Sequence, residues 1–152
     1  MIQRFEKLTN GVARIYKSIQ KIKKTEMRSL GLKGNHVMCL YYLHQHPEGL
    51  TAADLCNICS EDKAGISRTL SDLESKKYIR YDLPQGDKKY RAKATLTPKG
   101  KECSTKVNNL ILQAVMAGGK GITEEERHVF SRVLMLIADN LEQSCQELYE
   151  KG

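Results

Sequence analysis

Apolar residues recur along the N-terminal part of the chain at helical spacing. Phe5, Leu8, Val12, Ile15, Ile19 and Ile22 stand 3, 4, 3, 4 and 3 residues apart. That heptad-like stripe predicts a long first helix over about 3–28. The rest of its surface is charged, and so narrow a stripe suits packing against a partner helix. Val37, Leu40, Tyr41 and Leu43 predict a second helix over about 34–46, ended by Pro47. "LTAADL" opens a third, with Thr51 as N-cap and Asp54 completing a capping box. "DKAGISRTLSDLE" predicts a fourth over about 62–77, capped by Asp62 or Ser60.

The period then changes. "YIRYDL" and "YRAKATL" alternate apolar or aromatic with polar residues and predict two strands, a hairpin over about 79–96 with the basic tip "PQGDKK". "TPKG" restarts a helix with Thr97 as cap and Pro98 at its first position, running to about Met116. "GGKG" breaks it. Thr123 and Glu126 form a second capping box at the start of the last helix. Val129, Phe130, Val133, Leu134, Ile137, Leu141 and Leu148 give that helix a long apolar face.

The fourth helix has two unlike sides. Ile66, Leu70, Leu73 and Lys77 fall together, and Ala64, Gly65, Arg68, Ser71, Asp72 and Ser75 fall opposite. The first row anchors the helix. The second is flat near its start, with Arg68 its one long donor. A flat face of small residues lets a helix backbone approach a DNA major groove, where arginine reaches guanine O6 and N7 or a phosphate. The short helix 51–58 and the tight "CSED" turn before it make a helix-turn-helix. The hairpin after it is a wing, whose Lys88, Lys89 and Arg91 reach the DNA backbone or adjacent minor groove.

Charge sharpens this picture. The net charge of the 152 residues is +7. Nine basic and two acidic residues give 1–34 a net +7, and eleven against six give 61–101 a net +5. The segments 35–60 and 102–152 are net −2 and −3. Two concentrated basic blocks suit a polyanion. The basic run "KSIQKIKK" reads first as the wet face of a helix. An apolar content of 40% without tryptophan implies one globular domain with an aliphatic core.

"LTAADLCNICSEDKAGISRTLSDLESKKYIR" and "GDKKYRAKATLTPKGKE" together resemble the winged helix-turn-helix core of MarR-type transcriptional regulators, over roughly 32–103. Leu50-Thr51, Asp62-Lys63, Ser67-Arg68, Leu73-Glu74, Gly86-Asp87, Leu96-Thr97 and Lys99-Gly100 stand at the spacing of that family. The expected fold is mainly α with a small β-hairpin wing. One domain spans 1–152, with a winged helix-turn-helix lobe at 33–100 and a helical dimerisation platform at 1–30 and 101–152. The resemblance implies a homodimer, a pseudo-palindromic operator in double-stranded DNA, and a ligand or redox signal that alters affinity. It implies DNA contacts from Thr51, Lys63, Ala64, Gly65, Ser67, Arg68, Ser71, Lys88, Lys89 and Arg91. The dimer contacts expected from the two apolar stripes are Phe5, Leu8, Val12, Ile15, Val133, Ile137, Leu141 and Leu148. An effector pocket is expected around the first, second and fifth helices. The chain departs from the family at Lys89, where an arginine is usual, at Gly65, often hydroxylated, and at Glu61, commonly apolar.

Other chemistries find fewer parts. Cys56 and Cys59 have CxxC spacing, but no second ligand pair stands nearby, so they read as packed thiols rather than a metal site. His36 and Cys39 lie three apart, and His44 and His46 point apart. Five cysteines, an odd count, suit reduced thiols. Phosphate loop, nucleophile with base and supported carboxylate pair are all missing, which argues against an enzyme and implies no cofactor. A winged-helix adaptor without DNA and a thiol-sensing regulator are the rival readings. The N-terminus "MIQRFEKLTN" has no apolar core of signal-peptide length, and no segment approaches the roughly 18–20 apolar residues of a membrane span. A cytoplasmic protein with no membrane partner is expected.

Overall fold

The computed structural model describes residues 2–82 and 91–150. Six helices and one two-stranded antiparallel sheet follow in the expected order. They are α1 Ile2–Ser29, α2 His36–Gln45, α3 Ala52–Cys59, α4 Lys63–Ser75, β1 Ile79–Tyr81, β2 Ala94–Leu96, α5 Pro98–Gly118 and α6 Glu124–Glu150. The expected helix boundaries hold to within two residues. The strands are shorter than expected, with Ile79 opposite Leu96, Arg80 opposite Thr95 and Tyr81 opposite Ala94. The expected basic tip, with Gly86, Asp87, Lys88 and Lys89, lies outside the described residues.

The chain divides into two compact units, 1–112 and 113–152, with the boundary inside α5. The first unit holds the core. Val37, Leu40 and Leu43 of α2, Leu55 of α3, Ile66, Leu70 and Leu73 of α4, Ile79 of β1, Leu96 of β2 and Val107 of α5 are all buried. Leu50 extends the sheet edge, exchanging both backbone hydrogen bonds with Ala94. Gly49 makes that approach possible. Its φ is +83°, and a Cβ there would sit 2.8 Å from the Ala94 carbonyl oxygen. The hairpin's base is thereby tied to the α2–α3 connection.

Along α1 only Met27 is buried. Phe5, Val12, Ile15, Ile19 and Ile22 are exposed and Leu8 is half-buried. In the second unit, no described residue of α6 is buried. Val129, Phe130 and Val133 line an open groove with Thr123, Glu125 and Glu126 at its rim. Val133, Leu141 and Leu148 are exposed, and Ile137 is half-buried.

Candidate nucleic-acid interface

Two capped helices and a short turn build the motif. Thr51 Oγ1 accepts the Asp54 amide at 3.1 Å, and Asp54 Oδ2 accepts the Thr51 amide at 2.9 Å and its hydroxyl at 2.7 Å. These bonds, the Thr51 hydroxyl's first, hold the Asp54 carboxyl below the usual range. Ser60 ends α3 in the left-handed region, with φ +52°. Asp62 then starts α4 by accepting the Gly65 amide. A Cβ on Gly65 would lie 3.0 Å from that capping carboxylate, so glycine keeps the cap uncrowded.

On α4, Ile66, Leu70 and Leu73 turn inward as expected. Thr69 is also buried, a position the apolar pattern passes over. Its spacing, three after Ile66 and four before Leu73, is the signal that could have found it. Ala64, Ser67, Arg68, Ser71 and Ser75 are exposed on the other side, with Gly65 half-buried among them. Lys63 is exposed at the helix start. Thr51 is half-buried, and its hydroxyl is engaged in its own cap.

Asp72 corrects the expected face. It is half-buried, and three basic side chains, Lys33, His36 and Lys76, surround its carboxylate. Lys33 Nζ lies at 2.9 Å, His36 Nε2 at 3.2 Å and Lys76 Nζ at 3.8 Å. The hydrogen bond from Lys33 is the main cause of its lowered pKa. Arg68 has no ion-pair partner among the described residues.

The wing's described part carries Arg91 and Lys93, both exposed, and Arg80, paired with Asp82 at 3.4 Å. Its base is seated on α5. Thr97 caps α5 by accepting the Gly100 amide at 3.0 Å, and its hydroxyl donates to the Lys77 carbonyl at 2.7 Å. Lys99 reaches back to the Lys76 carbonyl at 2.8 Å, over the Tyr78 ring.

The expected thiol packing is only partly met. Cys56 and Cys59 are half-buried, because Leu55 alone of the short α3 is buried. Cys39 is buried, and its thiol pairs with that of Cys59. The pairing raises the Cys39 pKa and lowers that of Cys59. His36 is fully buried, its Nδ1 accepting the Lys33 amide at 3.2 Å, which removes that nitrogen from metal binding. His44 meets Ser104 at 2.7 Å and His46 meets Glu48 at 2.9 Å. No cluster of three or more His, Cys, Asp or Glu side chains suited to a metal occurs among the described residues. No described helix is long and apolar enough to cross a membrane.

Residues 30–89 match the model of the MarR family. That match spans 60 of the 152 residues and falls on the winged helix-turn-helix lobe. The MarR-type architecture extends past that segment. A MarR-family transcriptional regulator from Listeria monocytogenes, complexed with a 26mer DNA, superposes with a TM-score of 0.76 at 21% identity, covering 90% of this chain and 89% of that one. MarR of Staphylococcus aureus, in complex with salicylate and kanamycin, gives 0.76 at 19% identity, covering 93% and 94%. The MepR–DNA complex of S. aureus gives 0.76 at 20% identity, covering 86% and 93%. No curated protein matches this chain in sequence.

Proposed function

We propose that the chain is a homodimeric, sequence-specific DNA-binding transcriptional regulator that acts as a repressor. The carrying observation is the outer face of α4, where small exposed residues surround Arg68, which has no ion-pair partner among the described residues, on a helix anchored by Ile66, Leu70 and Leu73. A helix of that shape enters a major groove without steric cost, and a free guanidinium there has a base edge or phosphate as its natural partner. Lys63, Ala64, Gly65, Ser67 and Ser71 border it, with Thr51 at the start of α3. Lys88, Lys89 and Arg91 supply the wing contacts. The MarR-type lobe and the DNA-bound relatives of like fold support this reading. So does the chain's net charge of +7.

The exposed apolar stripes of α1 and α6 form the dimer platform in this reading. Single exposed leucines need no explanation, but two continuous stripes do. A small molecule entering around α1, α2 and α5 modulates affinity, as the salicylate-bound relative suggests. The protein works in the cytoplasm as a binder of double-stranded DNA, without a catalytic centre, metal or cofactor.

Selection of duplexes from a random pool by the purified protein tests the whole reading. Recovery of a pseudo-palindromic motif, bound with strong salt dependence, is the expected result. A protein that enriches no sequence and binds duplex no better than an acidic polymer would be an adaptor instead.

A further inference from the structure

The joint between α1 and α2 grips the back of the recognition helix, and its central contact is buried. Residues 33–36 reach α4 at three points. Lys33 Nζ meets Asp72 Oδ2 at 2.9 Å, Asn35 Nδ2 donates to Thr69 Oγ1 at 2.7 Å, and His36 Nε2 lies 3.2 Å from Asp72 Oδ2. Thr69 and Asp72 are three residues apart and so share the inner side of α4. These contacts differ in exposure. The Lys33 side chain is 72% exposed, so its ion pair is a weak anchor. His36 is 0% exposed.

The ring's protonation follows from its surroundings. Nδ1 accepts the Lys33 amide, so the proton of a neutral ring sits on Nε2. That N–H has no well-aligned acceptor, and the Asp72 carboxylate is its near neighbour. A buried donor whose near neighbour is one carboxylate couples the two residues, because removing the carboxylate takes away the acceptor-bearing group 3.2 Å from it. Asp72 stands one turn beyond Arg68 on the same rigid helix. A shift at Asp72 therefore moves Arg68.

We propose that His36, acting through Asp72, is a positioning residue that fixes the seat of the recognition helix on the α1–α2 joint. The joint continues directly into α1, which bears the exposed apolar stripe, so the clamp links the proposed dimer helix to the DNA-reading helix. It rests on the DNA-binding reading for its consequence but not for its existence. The clamp belongs to the free protein. Simple core packing would hold α4 through Ile66, Leu70 and Leu73 alone and would be indifferent to Asp72.

The test compares full-length wild type with Asp72→Ala, Asp72→Asn, Lys33→Met, His36→Leu and the His36→Leu/Asp72→Ala double variant. Amide exchange of the free protein is read first. In Asp72→Ala, amides of 63–75 should exchange about tenfold faster while those of 98–110 keep the wild-type rate. Asp72→Asn, which keeps an acceptor oxygen, should move the same way by less and covers the case in which the alanine variant fails to fold. Lys33→Met should change nothing, which assigns the effect to His36. Affinity is read next, on the selected duplex and a scrambled one. Asp72→Ala should lose about tenfold on the selected duplex and stay within about twofold on the scrambled one, since non-specific binding rests on phosphates. The double variant should be no worse than Asp72→Ala, the mark of a shared contact. Wild-type exchange on α4 in both Asp72 variants would overturn the clamp. Equal losses on the two duplexes would overturn it as well, as would additive losses in the double variant. A wild type that binds neither duplex would sink the proposed function, while the exchange result would still decide the clamp.

Discussion

Arg68 and Asp72 stand one turn apart on α4 and do not pair. Asp72 lies 2.9 Å from Lys33 and 3.2 Å from His36, and Arg68 is exposed with no ion-pair partner among the described residues. An i,i+4 pair would be worth only a few tenths of a kcal/mol, but its absence frees the guanidinium. Arg68→Ala should therefore leave the melting temperature unchanged. Affinity for the selected duplex should fall by about 1–3 kcal/mol per lobe. Anisotropy titration beside a thermal melt checks both. Relaxed sequence preference would mean that Arg68 reads a base, and retained preference that it holds a phosphate.

The alternation of periods carried most of the fold. Caps such as Thr51–Asp54 and Thr123–Glu126 are local in sequence, and both capping boxes form as their spacing implied. The outer face of α4 was legible for the same reason, since helical angle alone sorts Ser67 and Arg68 from Ile66 and Leu70. Asp72 was misassigned because its burial depends on Lys33 and His36, 39 and 36 positions away, which no local period encodes. Thr69 was passed over because its hydroxyl hides it among polar residues until Asn35 supplies the donor.

The wing should act through charge. Lys88, Lys89 and Arg91 are proposed to meet phosphates, with at most one entering the minor groove. Replacing Lys88 and Lys89 with glutamine should weaken selected and scrambled duplexes alike. The slope of log affinity against log salt should flatten by about 1 per lost contact per lobe. An unchanged slope in the double variant would remove the wing from the interface.

The platform should fail at single charges. Ile15 is 53% exposed and Leu141 57% exposed on helices that otherwise bury almost nothing. Ile15→Asp or Leu141→Asp should yield a folded monomer, because an unpaired carboxylate in a dry interface costs several kcal/mol. Sedimentation at micromolar concentration reads the outcome. A monomeric wild type would end the dimer proposal.

Gly100 allows α5 to start against the hairpin. A Cβ at this buried position would overlap the Tyr78 carbonyl oxygen, which also accepts the Thr97 amide at 3.0 Å. The obstacle is backbone and cannot swing away. Gly100→Ala should cost about 1–3 kcal/mol through forced displacement, despite alanine's better helix propensity. Chemical denaturation of the variant against wild type measures it, and an equal or raised midpoint would show that the junction yields.

Stability should depend on His36 at mildly acid pH. Burial is the largest influence on this ring and lowers its pKa, while Asp72 opposes that shift and Lys33 and Lys76 reinforce it. The unfolded chain takes up the proton near the ordinary histidine value of roughly 6.5, before the folded protein does. Above that value the ring is neutral in both states and its contribution is complete. As pH falls below it, the unfolded state binds more protons and stability drops, levelling off once the folded pKa is passed. Protonation also places a second donor against the Lys33 amide. Asp72 adds a loss at lower pH. Its folded pKa is depressed, so its contribution is present above the ordinary carboxylate range and fades below it. Denaturation midpoints between about pH 7.5 and 5 should fall for the wild type and fall less for His36→Leu. Parallel profiles for the two proteins would show that the ring does not carry the acid sensitivity.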